Sequence, residues 1–122
     1  MDYLLKKFLP RIEFDSYEDF KANYTVNVPE NFNFGFDVVD AWAEEEPEKK
    51  ALVWCDEEDN EKIFTFTDIK RLSNKAANFF KSLGVKKGSV VMLILRRRWE
   101  YWVCAVALWI TESYHGISTV VV

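Results

Sequence analysis

Apolar and polar positions alternate in blocks that predict an element order. The stretch DSYEDFKANY reads as a short helix, with Ser16 as its cap and Asp19 three residues on, the spacing of a capping box. TVNVPENFNF reads as an extended link, because Pro29 disfavours helix at Val28. A second helix is expected from about Asn33, with Phe36, Val39, Trp42 and Ala43 on one apolar face and Pro47 stopping it. ALVWC and KIFTF are short β-rich runs joined by DEEDNE, so they read as a hairpin with a loop longer than two residues.

The next helix is the most strongly patterned. Thr65 and Asp68 form a second capping-box spacing. Ile69, Leu72, Ala76, Phe79, Phe80 and Leu83 fall on one stripe, while Lys70, Arg71, Lys75 and Lys81 lie largely off it. Gly84 is placed to end the helix in a left-handed conformation. VVMLIL then runs apolar without alternation, which predicts a strand covered on both faces, as in a parallel sheet. A helix over about Glu100 to Ile110 follows, with Tyr101, Trp102, Ala105 and Leu108 turned to the sheet. GISTVVV can begin a further strand. The fold class is α/β: a β-hairpin and a βαβ-like unit with helices covering the sheet.

Composition narrows the functional classes. The chain has 122 residues, is 49% hydrophobic and carries a net charge of −4. That is enough for one globular domain and gives no support to a nucleic-acid partner. Cys55 and Cys104 lie far apart without a CxxC pair, so free thiols in a reducing compartment are the favoured reading, with a disulfide the alternative. MDYLLKKFLPRIEF has an acidic second residue and internal lysines, unlike a signal peptide. YWVCAVALWI covers about half of the ~20 residues a membrane helix needs. A cytoplasmic location without a membrane span is expected.

Candidate chemistry is sparse. SLGVKKGSVVMLIL holds Gly84, Lys86, Lys87, Gly88 and Ser89, but a phosphate loop needs its glycines between a strand and a helix, with a lysine after the second. Here no lysine follows Gly88, and the turn leads from helix to strand. A helix stop and turn is the favoured reading. His115 is the single histidine and has no partner for a base or a zinc site. Arg96, Arg97 and Arg98 fall at the carboxyl end of an apolar strand, where α/β proteins often place ligands, yet a solvated loop is favoured. Trp99, Tyr101 and Trp102 read as core. Glu44 to Glu46 and Asp56 to Asp59 read as solvated loops without acid–base work. No catalytic, cofactor-binding or metal-binding residue is assigned.

The stretch from Phe64 to Leu108 closely resembles the N-terminal region of AMP-forming acyl-CoA synthetases, in the adenylate-forming superfamily. Thr65, Phe66, Asp68 and Ile69 match a T-[YF]-x-[ED]-L-like start. Ser73, Asn74, Ala77 and Asn78 match S-N-x-x-A-N. Leu83, Gly84, Val85, Gly88 and Val91 match L-G-V-x-x-G-D-x-V, with Ser89 at the usual Asp. The arginine loop, Glu100 and the apolar helix after it are also similar. VPENFNFGFDVVDAWAEEEPEKKALVW resembles the preceding segment in the acetyl- and medium-chain branch.

The resemblance implies a two-step ligase. ATP and a carboxylic acid give an acyl adenylate and pyrophosphate, and coenzyme A then displaces AMP. ATP, Mg2+ and coenzyme A are thus implied for the full-length family, whose phosphate loop, adenine motifs and catalytic lysine have no matching residue here. The resemblance implies residues 1–32 as an N-terminal extension and residues 33–122 as a partial AMP-binding domain. After AVAL the sequence departs from the family's K-x-G-A-x-x-x-P pattern, so a truncated product, inactive alone, is expected. A small α/β interaction domain, or a subunit that docks without catalysis with a separately encoded remainder of the enzyme, is the alternative.

Overall fold

A computed structural model describes residues 2–117. The chain divides into two compact units, Met1–Phe32 and Asn33–Val122.

The first unit holds α1 (Asp2–Phe8) and α2 (Tyr17–Asn23). The sequence pattern did not predict α1. Ser16 caps α2 by accepting the Asp19 amide at 3.1 Å. The reciprocal half of the box is rerouted. The Asp19 carboxylate accepts the Asp15 amide at 3.0 Å, Arg11 at 2.8 and 2.6 Å, and the Asn23 side chain at 2.7 Å. A short aspartate stem reaches the residue before the cap and an arginine at once. Phe14, Phe20 and Tyr24 pack ring on ring, with the Arg11 guanidinium 4.8 Å over Phe14.

The second unit begins with a π-helical turn (Gly35–Asp40) that runs into α3 (Ala41–Glu45). The expected face is only partly inside. Val39 and Ala43 are buried and Trp42 stacks on Phe66, while Phe36 is exposed. The loop expected over the acidic run begins later than predicted, since Glu44 and Glu45 sit in the last turn of α3.

Strands β1 (Lys50–Cys55) and β2 (Glu61–Thr65) form an antiparallel hairpin, with Leu52 opposite Phe64 and Trp54 opposite Lys62. Asp56 organises the connecting loop. Its carboxylate accepts the amides of Glu58 and Asn60 and the Asn60 side chain, each at 2.9 Å.

Helix α4 (Phe66–Ser82) carries the complete capping box. The Thr65 hydroxyl accepts the Asp68 amide at 3.2 Å, and the Asp68 carboxylate accepts the Thr65 amide at 3.1 Å. The expected stripe meets the core at Ile69, Leu72, Ala76 and Phe80, but the most buried seam is shifted from it. Ile69, Ser73 and Ala77 are buried at i, i+4 spacing, while Phe79 and Leu83 are exposed. Small residues at Ser73 and Ala77 let α4 lie close against α5, and the Ser73 hydroxyl is satisfied by donating to the Lys70 carbonyl at 3.1 Å.

Strand β3 (Val90–Leu93), helix α5 (Glu100–Ile110) and strand β4 (Tyr114–Ile117) complete a parallel βαβ unit, with Val90 opposite Tyr114 and Leu93 opposite Ile117. The expected further strand therefore starts at Tyr114, and its part beyond Ile117 lies outside the described residues. Helix α5 is apolar nearly all round and correspondingly buried at Val103, Ala105, Val106, Ala107, Leu108 and Ile110. Trp102 is a correction: it is exposed, not turned to the sheet. VVMLIL is another, because Leu93 is buried but Val90, Met92 and Ile94 face outward. Along β3 the inward side is covered at Leu93 and the other side faces water.

The core joins these pieces. Val39, Ile69, Ala77, Val103, Val106, Ala107 and Ile110 form one cluster, flanked by Leu52, Phe64, Phe66 and Trp99. Gly35 is a tight point of this packing. A Cβ there would lie 2.5 Å from Ile110 Cγ1.

Candidate functional site

The glycine-bearing turn between α4 and β3 is a structural clasp. Gly84 and Gly88 take φ of +87° and +81°, a region open to glycine at no steric cost. The Gly84 amide donates to the Lys81 carbonyl, Val85 to Phe80, and Ser89 to Lys86. The Lys86 amide donates to the Ser89 hydroxyl at 3.0 Å. The Gly88 amide crosses to the Glu112 carbonyl at 3.0 Å, and the Lys87 ammonium pairs with the Glu112 carboxylate. A phosphate cradle needs convergent amides pointing at the ligand. Here those of residues 84, 85, 86, 88 and 89 are spent within the protein, so the turn does not fit a triphosphate.

The arginine loop at the carboxyl end of β3 is the more informative locus. Arg96, Arg97 and Arg98 are all exposed. The hairpin holds this loop in place. Trp54 Nε1 donates to the Arg97 carbonyl at 2.6 Å, and Phe64 packs on Trp99 with ring centroids 4.9 Å apart. The Lys62 ammonium lies 5.1 Å over the Trp99 ring. Arg98 donates to both oxygens of Glu100, at 3.3 and 3.0 Å. That bond holds the Glu100 carboxyl below its ordinary value and raises the arginine further. Trp99 thus belongs to the core edge, Tyr101 meets Trp102 edge-on, and Trp102 stands exposed beside the loop.

The remaining candidates scatter. His115 lies on β4 opposite Val91, and its side chain is outside the described residues. Cys55 is exposed and Cys104 half-buried, both free. Burial, with Glu100 adding, pushes the Cys104 thiol up. Glu44 pairs with Lys70 at 3.0 Å and Glu46 with Lys49 at 3.2 Å. Asp40 is the titratable group most out of place. Its Oδ1 is buried with no hydrogen-bond partner, and burial raises its carboxyl, opposed by Lys70 at 3.9 Å. Among the described residues no group of three His, Cys, Asp or Glu side chains is placed to hold a metal ion.

Sequence reasoning missed the Trp54, Lys62 and Glu112 contacts. Each joins residues distant in sequence, and only the Trp54–Lys62 pairing across the hairpin was within reach of a register argument.

Similar solved structures define the fold. An acetoacetyl-CoA synthetase from Streptomyces lividans superposes with a TM-score of 0.67 at 21% identity, over 71% of this chain and 13% of that one. A fatty acyl CoA synthetase from Mycobacterium tuberculosis gives 0.64 at 20% identity, over 71% and 16%. The fold is that of a part of the α/β adenylate-forming ligases. The model of the family described as AMP-binding enzyme matches residues 39–113. The chain belongs to this family, and its curated relatives are acyl-coenzyme A synthetases. Human mitochondrial acyl-coenzyme A synthetase ACSM3 is 34% identical over 100 residues, covering 77% of this chain and 17% of its own length. Human mitochondrial ACSM4 is 37% identical over 97 residues, covering 73% and 17%. The chain therefore spans about a sixth of the length of these relatives. No described helix is long and apolar enough to cross a membrane.

Proposed function

We propose that this chain forms part of the N-terminal AMP-binding domain of an acid–CoA ligase and acts as a scaffold within it. Residues 33–122 supply that part, and residues 1–32 an extension. The whole enzyme would join a fatty or other carboxylic acid to coenzyme A through an acyl adenylate, using ATP with Mg2+. The observation that carries the scaffold role is the clasped turn at Gly84–Ser89, whose amides are engaged internally at the one place where glycines and lysines cluster. These residues hold helices and strands in register; none is placed to activate a carboxylate. By themselves the 122 residues are inactive.

Two measurements test this. The purified chain shows no acid-dependent exchange of pyrophosphate into ATP; exchange above background overturns the scaffold reading. Human ACSM3 with residues 39–113 of this chain in place of its matching segment retains acid-dependent thioester formation. A folded chimera without that activity overturns the ligase reading. A cytoplasmic location is proposed against the mitochondrial names of the relatives, and fractionation of cells expressing the tagged chain separates the two.

A further inference from the structure

We infer that Ser89 is a phosphorylation site, taken by a protein kinase whose substrate cleft is lined with carboxylates. The inference is independent of the ligase reading. Of the serines and threonines in the sequence, only Ser73 and Ser89 have a basic side chain both three and two residues ahead. Lys70 and Arg71 precede Ser73, and Lys86 and Lys87 precede Ser89. A cleft with acidic groups at those two spacings selects such a segment by charge complementarity. Ser89 is followed by apolar Val90, which can rest on an apolar shelf beyond the reacting hydroxyl, where Ser73 is followed by Asn74.

The fold separates these two sites of similar sequence. Ser73 is 0% exposed, in the middle of α4, with its hydroxyl donating to the Lys70 carbonyl at 3.1 Å. A kinase reaches it only by melting the helix. Ser89 is half-buried in the turn before β3, between exposed Lys86, Lys87 and Gly88 on one side and exposed Val90 on the other. The space around the turn is open, since a Cβ added at Gly88 would meet nothing within 4 Å. Short-range bonds close it: the Ser89 amide donates to the Lys86 carbonyl at 2.9 Å and the Lys86 amide to the Ser89 hydroxyl at 3.0 Å. The tie to Glu112 is the other fastening. A kinase binds its substrate extended, so these bonds must open. A surface turn held by so few opens at far lower cost than a buried helical seam.

In the transfer, Ser89 Oγ attacks the γ-phosphorus of Mg2+-bound ATP. The new O–P bond forms as the bond from that phosphorus to the bridging oxygen breaks, ADP leaves, and the hydroxyl proton passes to a carboxylate of the kinase. The product adds a charge of about −1.5 to −2 close to two lysines, whose ammonium groups are charge-assisted donors for it.

The folded 122-residue chain is incubated with the catalytic subunit of cyclic-AMP-dependent protein kinase and Mg2+-ATP, and the phosphate is located by peptide mass spectrometry. One phosphate per chain is expected, on Ser89, with Ser73 unmodified. Ser89→Ala should abolish incorporation, and Ser73→Ala should leave it unchanged. Lys86→Ala should slow it at least tenfold at an unchanged melting midpoint, because Lys86 joins the turn through its backbone. A synthetic peptide of residues 83–93 tests the motif apart from the fold. Failure of both peptide and chain overturns the motif, and a modified peptide beside an unmodified chain overturns its accessibility. Equal labelling of Ser73 and Ser89 in the chain, or a rate indifferent to Lys86→Ala, overturns the inference as well.

Discussion

Gly35→Ala offers the sharpest test of how the second unit is packed. Two effects oppose each other. Replacing a helical glycine removes backbone freedom from the unfolded chain and gains about 0.5–1 kcal/mol. Against this, the new Cβ would meet Ile110 Cγ1 at 2.5 Å and Asn33 Oδ1 at 3.2 Å. The Ile110 atom is bonded directly to Cβ on a largely buried helix, so clearing it means turning the whole side chain. Overpacking of this kind costs about 1–3 kcal/mol, and the net expectation is a loss of about 1–2 kcal/mol. Urea unfolding followed by tryptophan fluorescence would show a lower midpoint with an unchanged slope. For a domain of this size each kcal/mol corresponds to about 4–8 °C in melting temperature. Ile110→Ala deletes the offending atom and by itself costs about 2–5 kcal/mol through a cavity. With the methyl group added by Gly35→Ala partly filling that space, the double variant should be more stable than the sum of the single losses by about 1 kcal/mol or more. A neutral or stabilising Gly35→Ala, or strict additivity in the cycle, would refute the close approach of the π-helical turn to α5.

Other outcomes follow from single contacts. Thr65→Ala removes the hydroxyl that accepts the Asp68 amide and should destabilise by about 1 kcal/mol, whereas Thr65→Ser should lose little; equal losses would count against the cap. Cys55 should react with a thiol reagent in the native protein, while Cys104, half-buried and with its thiol pushed up, should react only after denaturant is added. Asp40 has a raised folded carboxyl, so the native state holds its proton more tightly than the unfolded one. Its effect vanishes below the ordinary 3.8, and stability is lost as pH rises from there through the folded value. Asp40→Asn should flatten that loss in acid titrations of unfolding; an unchanged profile would contradict it. Glu100 has the opposite sign. Its contribution is present above the ordinary 4.5 and is lost as pH falls through the lowered folded value.

Legibility varied with the range of the interaction. The Thr65 cap, the glycine stop at Gly84 and the hairpin all rest on neighbours within a few residues, and each was readable. The α4 seam was readable at Ile69, Leu72, Ala76 and Phe80, but missed at Ser73 and Ala77, whose small side chains give a weak apolar signal, while Phe79 and Leu83 were wrongly included. Helix-to-helix distance decides in favour of small side chains there, and no local pattern encodes that distance. The same limit hid Gly35, whose role is set by Ile110. Helix α1 lacked a recognisable cap in MDYLLKKF. The family motifs were legible because they combine cap, seam and turn in a fixed order. For the arginine loop, position at a strand end could be read, but its fastening by Trp54 could not.

The clasp between Gly88 and Glu112 bears on strand alignment. Most strands resist sliding because a shift of one residue would throw polar groups inward and oily ones outward. β3 has no such safeguard: exchanging Val91 and Leu93 for Val90 and Met92 swaps like for like. What indexes β3 against β4 is then the bond that ties the turn before one strand to the turn before the other. Lengthening either turn by a single residue would leave two alignments nearly degenerate, and the chain would lose a unique sheet before it lost its helices.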